Sequence, residues 1–500
     1  MKVCRISLLV LVMLAGSALA VTYYSTNGGG NWSDASKWSP SGVPNSNTDD
    51  VVIQSGHPIT LNGSYSIRHV TINSGATFTV SSAVYLYIYG DWTNNGTATW
   101  TNGYADFRGS AAQSIGGNNP TTFYYLYLNK DALANTVTMN QAVTVSAAAA
   151  GALDINVGTL STNGNSLTVN STNASVTGDG TLNGQLDINT GGTTTIYNLD
   201  QSNTATGLGT VSIGPGTTVN ITMTHTIGRY STYNHTCNIS GGTVNYNATG
   251  ANVNLSLWLP MNTSNGVFAT GGTITFYGTV QTTYSGAISA TGSAVVKFAG
   301  SQSSYYNTSQ NSSGGTQVGL HTFADLRIEK TGGASLTFRP NGSVYLNGDF
   351  TASKLTVNSG AVFILAQNYF ASGRGYVLGD VTNNGTITID PADNGFYRVS
   401  GDWTGNGVLN AGTKLVELTG TATKNLAGGP FYDLTVNRTG GGAVMTGNVT
   451  VQRNLLVSAG TFATGDYTLT LGTTGAWGSV TVASGAAFNA VGTGFGRAGV

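Results

Sequence analysis

The sequence predicts an all-β protein that folds as a right-handed parallel β-helix, a solenoid with about 20–30 residues in each coil. Three observations predict this fold: a period-two alternation of apolar residues, a recurring glycine cassette and a recurring Gly-Asp cassette. A parallel solenoid stacks each short strand on the equivalent strand of the previous coil. Its sequence is therefore expected to repeat one set of strands and turns per coil.

Alternating apolar and polar residues mark the strands. Runs of this kind occupy residues 84–89, 386–389 and 467–471, and Gly, Asn and Ser separate them from their neighbours. Such runs, bounded by turn-forming residues, are typical of strands with one buried face. After Val21 no stretch keeps apolar residues at helical spacing for three turns. The pattern therefore predicts strands throughout.

A cassette of Gly, a small or β-branched residue and an alternating strand sets the period. Neighbouring copies begin 20–33 residues apart, or at spacings close to two or three times that distance. A unit of this size is too short for a sandwich domain of about 100 residues, and it suits one coil of a solenoid. The copies begin at Gly75, Gly96, Gly158, Gly180, Gly209, Gly242, Gly272, Gly292, Gly360, Gly385, Gly407, Gly460 and Gly485.

The second cassette is Gly-Asp-Trp-Thr-Asn-Asn-Gly at residues 90–96. It recurs with few changes at residues 379–385 and 401–407, and a partial copy occupies residues 348–351. Each full copy follows one strand and precedes another. Because Gly and Asn tolerate the left-handed backbone conformation, each copy predicts a corner of the coil.

A third repeat, Phe-x-x-Leu-x-aliphatic-x-basic, occupies residues 123–130, 323–330 and 431–438. The segment that leads into the middle copy is about nine residues longer than the one that leads into the first copy. The extra residues lie within 302–319, a segment rich in Ser, Asn, Gly and Tyr that is typical of binding loops. We expect an insertion on one face of the solenoid, for which an inert loop is the favoured interpretation and a binding loop the alternative. The candidate binding residues are Tyr305, Tyr306, Asn307 and Asn311.

The first twenty residues predict a secretory signal peptide. Lys2 and Arg5 precede the apolar run 6–15, and residues 17–20 end in a small-x-small cleavage site. The apolar run is too short to span a membrane. We predict cleavage before Val21, transport by export machinery, an extracellular or outer cell-surface location, and no membrane span in the mature chain.

Composition limits the partners and the cross-links. Charged residues are 8% of the chain, against about 25% in ordinary domains. Loss of Lys2 and Arg5 leaves 17 basic and 20 acidic residues, a net charge of −3. Such a chain lacks the basic surface that nucleic acid requires, so no nucleic-acid partner is predicted. Cys237 is the single Cys after residue 20, which excludes an intrachain disulfide in the mature protein.

The opening of the mature chain extends the repeat pattern. Trp32, Trp38, a Gly-Val-Pro at 42–44 and an Asp-Asp-Val-Val-Ile at 49–53, with the repeats above, resemble the large exported bacterial β-helix proteins. These include autotransporter passengers and haemagglutinin-like adhesins. The resemblance covers most of the mature chain, implies a surface scaffold or adhesin, and supplies no catalytic residues.

The predicted domain organisation follows from these patterns. Residues 1–20 form the signal peptide, residues 21–56 an N-terminal cap that covers the open sheet edge, and residues 57–500 the β-helix. Neither the C-terminal barrel nor the sorting domain of similar proteins follows the last cassette. We therefore expect the protein to continue past Val500.

The spacing of Asp380 and Asp402 makes them a candidate acidic site. They are 22 residues apart in aligned cassettes, so one coil would place their carboxylates about 5 Å apart. That separation matches a retaining glycosidase pair and also suits calcium. Exposed like charges at this distance repel by only about 1 kcal/mol in water, so a purely structural corner is the favoured interpretation.

Other candidate sites are weaker. His225, His235 and Cys237 fit no zinc spacing, and Asp49 and Asp50 point to opposite faces of a strand. The segment 390–395 predicts a turn rather than a calcium loop. The sequence therefore predicts no catalytic, cofactor-binding or metal-binding residues.

The predicted function is that of a non-catalytic structural or adhesive protein of the cell surface. Its expected partners are carbohydrate or a host or matrix surface, contacted through Tyr-bearing faces. One alternative is a β-helix polysaccharide hydrolase or lyase that uses Asp380 and Asp402, with Arg398 nearby in sequence. Another is the carbohydrate-binding region of a longer extracellular enzyme.

Overall fold

The computed structural model describes residues 20–491 except 27, 170, 178–184, 189–190, 202–208, 228–235, 247–253, 259–265, 284–286, 310–321, 342–344, 347–348, 366–368, 371–373 and 474–475. The described residues form 49 β-strands and one short 3-10 helix, Ala35–Lys37, and contain no α-helix. Among these strands, β1 and β3 are the one antiparallel pair. The all-β prediction is confirmed, and the stacked parallel strands are consistent with a β-solenoid.

The first strands in chain order are β1 (Thr22–Ser25), β2 (Gly30–Asn31), β3 (Trp38–Ser39), β4 (Asp50–Ile53), β5 (Pro58–Leu61), β6 (Tyr65–Ile67), β7 (His69–Ile72), β8 (Thr77–Val80), β9 (Tyr85–Ile88), β10 (Trp92–Asn94), β11 (Thr97–Trp100), β12 (Tyr104–Gly109), β13 (Gln113–Gly116), β14 (Thr121–Phe123), β15 (Tyr125–Lys130), β16 (Thr136–Met139) and β17 (Val143–Val145). The middle strands are β18 (Leu153–Val157), β19 (Thr159–Ser161), β20 (Leu167–Val169), β21 (Ser175–Thr177), β22 (Gln185–Ile188), β23 (Thr193–Gln201), β24 (Thr210–Ile213), β25 (Thr218–Ile227), β26 (Thr236–Ile239), β27 (Thr243–Tyr246), β28 (Asn254–Trp258), β29 (Gly266–Ala269), β30 (Thr273–Phe276), β31 (Thr279–Thr283), β32 (Ala287–Gly300) and β33 (Ser304–Ser309). The last strands are β34 (Thr322–Lys330), β35 (Ser335–Asn341), β36 (Tyr345–Leu346), β37 (Phe350–Val357), β38 (Val362–Leu365), β39 (Tyr369–Phe370), β40 (Gly375–Asn383), β41 (Thr386–Ile389), β42 (Phe396–Val399), β43 (Trp403–Thr404), β44 (Val408–Asn410), β45 (Leu415–Gly420), β46 (Lys424–Ala463), β47 (Leu469–Leu471), β48 (Ser479–Val482) and β49 (Ala487–Asn489).

Three strands complete one coil. In the first half of the chain a strand pairs in parallel with the third strand after it, which gives three stacked sheets. The first sheet contains β4, β7, β10, β13 and β16. The second side consists of β5, β8 and β11, which form a sheet of their own with β2, followed by the paired strands β14, β17 and β20 of later coils, of which β14 contacts β11. The third contains β6, β9, β12, β15 and β18.

Some later strands run around a corner and contribute to two sheets. Residues 287–290 of β32 pair with β29 of the first sheet, and residues 295–298 pair with β30 of the second. β34, β37 and β40 continue the same arrangement. Each of these long strands therefore supplies two sides of its coil.

Coil length agrees with the period of the repeats. Residues paired between neighbouring coils are 18–33 positions apart, from Leu415 with Asp433 to Ser289 with Thr322. The glycine cassettes that begin at Gly242 and Gly272 occupy successive coils, since Thr243 pairs with Thr273. The predicted period of about 20–30 residues thus corresponds to one coil.

Alternation directs one face of each strand into a continuous apolar core. The strand 77–80, for example, buries Phe78 and Val80 completely. Each fully buried aliphatic or aromatic side chain contributes about 1.5–3 kcal/mol relative to exposure. Between Phe350 and Val416 the core leaves a void of only ≈ 20 Å³, about the space of one water molecule.

Trp32 and Trp38 pack against the first coils. Their ring centroids are 5.0 Å apart, and Trp32 also lies 6.1 Å from Phe78. Each indole N–H is satisfied, by the carbonyls of Pro44 and Trp32 respectively, both at 2.9 Å. The proposed cap at residues 21–56 stays a prediction, although its strand Asp50–Ile53 is already stacked in the first sheet.

No helix of the described residues has the length and apolar character that a membrane-spanning helix needs.

Candidate functional site

The segment predicted as a binding loop begins with a strand. Ser304–Ser309 pairs in parallel with the coils on both sides. Tyr306 is 1% exposed, and its ring lies 5.2 Å from that of Phe338, so it is a core residue and not a surface residue that could contact a ligand. Tyr305, on the opposite face, is 39% exposed. Asn307 belongs to the same strand, and Asn311 lies outside the described residues.

His225 and Cys237 are buried core residues. The two ring nitrogens of His225 lie 2.9 Å from the Tyr246 hydroxyl and 2.9 Å from the Gln201 Oε1. Burial lowers the pKa of His225 to about 3 and raises the pKa of Cys237 to about 12, which keeps both groups neutral. His235 lies outside the described residues. Within the part of the chain that the structure describes, no group of three His, Cys, Asp or Glu is placed to hold a metal ion.

The aspartates of the Gly-Asp cassettes bind the backbone of the next coil. Asp380 accepts a hydrogen bond from the N–H of Asp402 at 3.0 Å, and Asp402 accepts one from the N–H of Asn425 at 2.8 Å. Asp91 and Asp349 do the same toward Ser114 and Gly375, at 2.7 and 3.1 Å. All four copies therefore use the carboxylate to join two coils. This favours the structural-corner interpretation of Asp380 and Asp402.

The glycines before these aspartates are needed for close packing. A Cβ atom at Gly379 would lie 2.1 Å from the carbonyl oxygen of Ser353, and one at Gly401 would lie 2.3 Å from Oδ1 of Asp380. Neither glycine, nor Gly90, has a left-handed φ. A left-handed backbone therefore does not explain these three glycines, although Gly405 of the third cassette has one, with φ of 104°. The approach of the neighbouring coil leaves no room for a side chain.

The basic residue of the third repeat is buried in every copy. Lys130, Lys330 and Arg438 are 4%, 1% and 1% exposed. Lys330 Nζ donates to the carbonyls of Ala299 and Gln302 at 2.8 and 2.9 Å. Burial lowers the pKa of both lysines to about 8.

Lys130 repeats this arrangement, whereas the longer Arg438 reaches carbonyls two coils back. Lys130 Nζ donates to the carbonyls of Arg108 and Ala111 at 2.9 and 3.0 Å, and it also contacts Gln113. Arg438 donates to the carbonyls of Ser400 and Gly401 at 3.0 and 2.9 Å. The side chain thus satisfies backbone carbonyls of preceding coils, groups that are costly to bury without a partner.

Each buried cation stacks on a glycine of the previous coil. Lys130 pairs with Gly109, Lys330 with Gly300 and Arg438 with Gly420, and these three glycines have φ of 85°, 91° and 105°. The three copies lie in the third, second and first sheets respectively. The motif is therefore independent of which side of the coil carries it.

Charged residues also gather in one groove on the outside of the second sheet. The groove crosses β34, β37, β40 and β43 and has a volume of ≈ 520 Å³. It is called the charged groove below. Its lining residues are Asp325, Arg327, Glu329, Lys354, Thr356, Asn358, Asp380, Thr382, Asp402 and Thr404.

Hydroxyl groups run along the middle of the charged groove. Thr356, Thr382 and Thr404 are stacked in register on Arg327, and the hydroxyls of Thr382 and Thr404 are 3.5 Å apart. Successive coils of a parallel sheet are about 4.8 Å apart. The row therefore offers hydroxyls at a regular spacing.

The charges around this row are largely neutralised by neighbours. Arg327 binds Asp325 at 2.7 Å. Two cations outside the lining approach lining carboxylates: Lys297 lies 3.5 Å from Glu329, and Lys424 lies 3.8 Å from Asp380. Lys354 is exposed and is paired in register with Asp380. The four carboxylates of the lining thus face two lining cations and two adjacent ones.

A stack of tyrosines lies on the outside of the third sheet. Tyr85, Tyr104 and Tyr125, called the tyrosine ladder below, are half-buried and stacked in register. Centroids of neighbouring rings are 4.3 and 4.6 Å apart, with planes 9° apart in both pairs. Because these rings cover one another, the ladder presents mainly edges and hydroxyls to solvent.

An ion pair with a buried carboxylate and a partly exposed arginine lies beside the ladder. Asp106 is 1% exposed and accepts hydrogen bonds from Arg108 and Asn129, both at 2.8 Å. Burial raises the pKa of Asp106 in spite of these two donors. Arg108 in turn lies 4.3 Å from the centre of the Tyr87 ring. Tyr at alternate positions in residues 85–89 and 125–127 is the sequence signal for this region.

Comparisons with protein-family models, with curated proteins and with solved structures found no match to this chain.

Proposed function

We propose that this protein is an exported, non-catalytic structural and adhesive protein that binds a neutral polysaccharide in the charged groove. In this proposal the solenoid winds as a right-handed parallel β-helix and stands outside the cell, as in the autotransporter passengers and haemagglutinin-like adhesins that its sequence resembles. The charged groove carries the proposal.

The lining of the groove suits a ligand rich in hydroxyl groups. Sugar hydroxyls both donate and accept hydrogen bonds, and the lining offers carboxylate acceptors, Lys354 and Arg327 as donors, and a row of threonine hydroxyls. An anionic polymer would approach four carboxylates, and a cationic polymer would compete with cations that are already in place. A neutral, hydroxylated chain avoids both costs and fits a concave polar site.

The contacts of Asp380 and Asp402 support a binding role over a catalytic one. Each carboxylate has an oxygen that accepts a backbone N–H of the next coil. The same contact occurs at Asp91 and Asp349, which lie outside the groove. A contact that recurs at all four cassettes is explained by coil stacking without any reaction.

Binding to insoluble polysaccharides tests the groove. The variant Thr382→Trp fills the middle of the groove and should lower binding to neutral polysaccharides at least tenfold. The variant Thr243→Trp, on the same sheet several coils away, is the matched control and should bind as the wild type does. Stronger binding to anionic polymers, or equal binding by both variants, would contradict the proposal.

Export is tested separately. Expression of the full reading frame in a bacterial host, followed by fractionation and N-terminal sequencing, should place the protein outside the cytoplasm with Val21 as its first residue. A protein that keeps Met1 and stays with the cytoplasmic fraction would contradict export without bearing on the groove.

A polysaccharide hydrolase or lyase is the second candidate. Asp380 and Asp402 lie one coil apart in the groove, beside Lys354. Incubation with neutral and uronic-acid polysaccharides should release neither new reducing ends nor unsaturated ends. Turnover that Asp402→Asn abolishes would replace the binding proposal with this one. A catalytic module encoded beyond Val500 would instead make the groove the carbohydrate-binding region of a longer extracellular enzyme.

A further inference from the structure

We propose that the tyrosine ladder is a modification site, at which two phenol rings on neighbouring coils couple oxidatively to dityrosine. The reactive partners are Tyr104 and either Tyr85 or Tyr125. The proposal is independent of carbohydrate binding, since the ladder and the charged groove lie on different sheets.

The geometry of the ladder brings the reacting carbons together. Dityrosine forms through a bond between carbons ortho to the two hydroxyls. Tyr104 lies between two nearly parallel rings, with centroid separations of 4.3 and 4.6 Å. Carbon atoms in contact are ~3.5–4.0 Å apart. Neighbouring rings are therefore close to van der Waals contact, so a small tilt of one ring would bring two ortho carbons together, and the rings are only half-buried, which leaves them accessible to an oxidant.

The reaction needs an oxidant, which here is hydrogen peroxide acting with a peroxidase. Each phenol loses one electron and one proton to give a phenoxyl radical. The two radicals join through their ortho carbons, and the hydrogens on those carbons move to the oxygens to restore the phenols. Hydrogen peroxide accepts the two electrons and two protons, so two tyrosines and one peroxide give one dityrosine and two waters.

The cross-link would give the protein a covalent bond between coils, which its cysteine content does not provide. Cys237 is buried and is the single Cys after residue 20, so the mature chain has no disulfide within it. A covalent bond between Tyr104 and Tyr125 would close a loop of one coil. Such cross-links stabilise a fold chiefly by restricting the unfolded chain.

The core contains a matched control. Tyr376 and Tyr397 also stack on neighbouring coils, with centroids 5.0 Å apart and planes 14° apart. They are only 0% and 4% exposed. Their geometry resembles that of the ladder, but a peroxidase cannot reach them in the folded protein.

The experiment treats the dilute, folded full-length protein with hydrogen peroxide and peroxidase, and then maps cross-linked peptides by mass spectrometry and dityrosine fluorescence. We expect peptides joining Tyr104 to Tyr85 or Tyr125, each lighter by two hydrogens, and an upward shift of Tm. Tyr104→Phe keeps the packing and should lose most of the dityrosine signal. The proposal is overturned by an absence of product, by coupling only between molecules, by equal coupling of Tyr376 to Tyr397, or by an unchanged signal in Tyr104→Phe.

Discussion

The buried basic residues of the third repeat and the exposed charges of the groove show two uses of charge in a chain that has little of it. Lys130, Lys330 and Arg438 are inside the coil and bind neutral carbonyls of preceding coils. The charges of the groove are outside and bind opposite charges.

The two sets of charges differ in whether water can take the place of a lost partner. A buried cation is surrounded by carbonyls that water cannot reach, so its loss leaves those carbonyls unsatisfied. A groove charge has water as an alternative partner. We therefore expect the buried set to determine stability and the groove set to determine binding.

The largest effect is expected from Lys330→Met. Removing the ammonium leaves the carbonyls of Ala299 and Gln302 without their donor, which should lower the free energy of unfolding by about 2–4 kcal/mol. Urea or thermal unfolding measures this change. Lys354→Met, in the groove, is the control and should change stability by less than about 0.5 kcal/mol. Similar losses in the two variants would contradict the distinction.

The pH dependence of stability should report the burial of Lys330. The pKa of Lys330 falls from 10.5 to about 8 on folding. Below pH 8 both states hold the proton, whereas between pH 8 and 10.5 the unfolded state holds more protons than the folded state. Stability should therefore rise with pH in this window, by at most about 1.4 kcal/mol per pH unit for one lysine. The wild type should gain stability relative to Lys330→Met between pH 8 and 10, and a constant difference would contradict the burial effect.

A smaller effect is expected at Asp380, which is both a cassette residue and a groove residue. Asp380→Ala removes the acceptor for the Asp402 N–H and should cost roughly 0.5–1.5 kcal/mol. Asp380→Asn keeps an acceptor oxygen and should cost less. Chelation of divalent cations should leave both values unchanged, whereas a chelator-dependent loss in the wild type alone would indicate a calcium site.

The smallest effect is expected at Arg327. Its bond to Asp325 is a partly exposed ion pair, and pairs of this kind contribute about 0–1 kcal/mol. Arg327→Ala should therefore change unfolding little, and less still at high salt. Binding of neutral polysaccharide should fall in the same variant, and a large stability loss without a binding loss would reverse the roles assigned to this residue.

The strands and the coil period could be predicted because they depend on local pattern. Glycine cassettes such as those at Gly242 and Gly272 occupy successive coils, as their spacing indicated. The inward direction of the Lys330 side chain could also be predicted, since Lys330 continues the alternation of Leu326 and Ile328. It was missed because basic side chains are rarely buried.

The groove could not be predicted in the same way. It depends on which residues of unequal coils are paired: Lys354 with Asp380 at 26 residues, but Thr382 with Thr404 at 22. No local sequence pattern determines how many residues each of these coils contains. Tyr306 was placed on a loop because its neighbours are polar and small, although the same segment pairs as a strand on both sides.

The third repeat has one further consequence. Its glycine and buried cation are paired between neighbouring coils in every copy, and the copies lie on all three sides of the coil. We therefore expect the glycine and the cation to fit any corner of the coil to which duplication or recombination moves them. Protein engineers could use it in the same way, to close the turn of a designed solenoid wherever a longer loop has to be displayed.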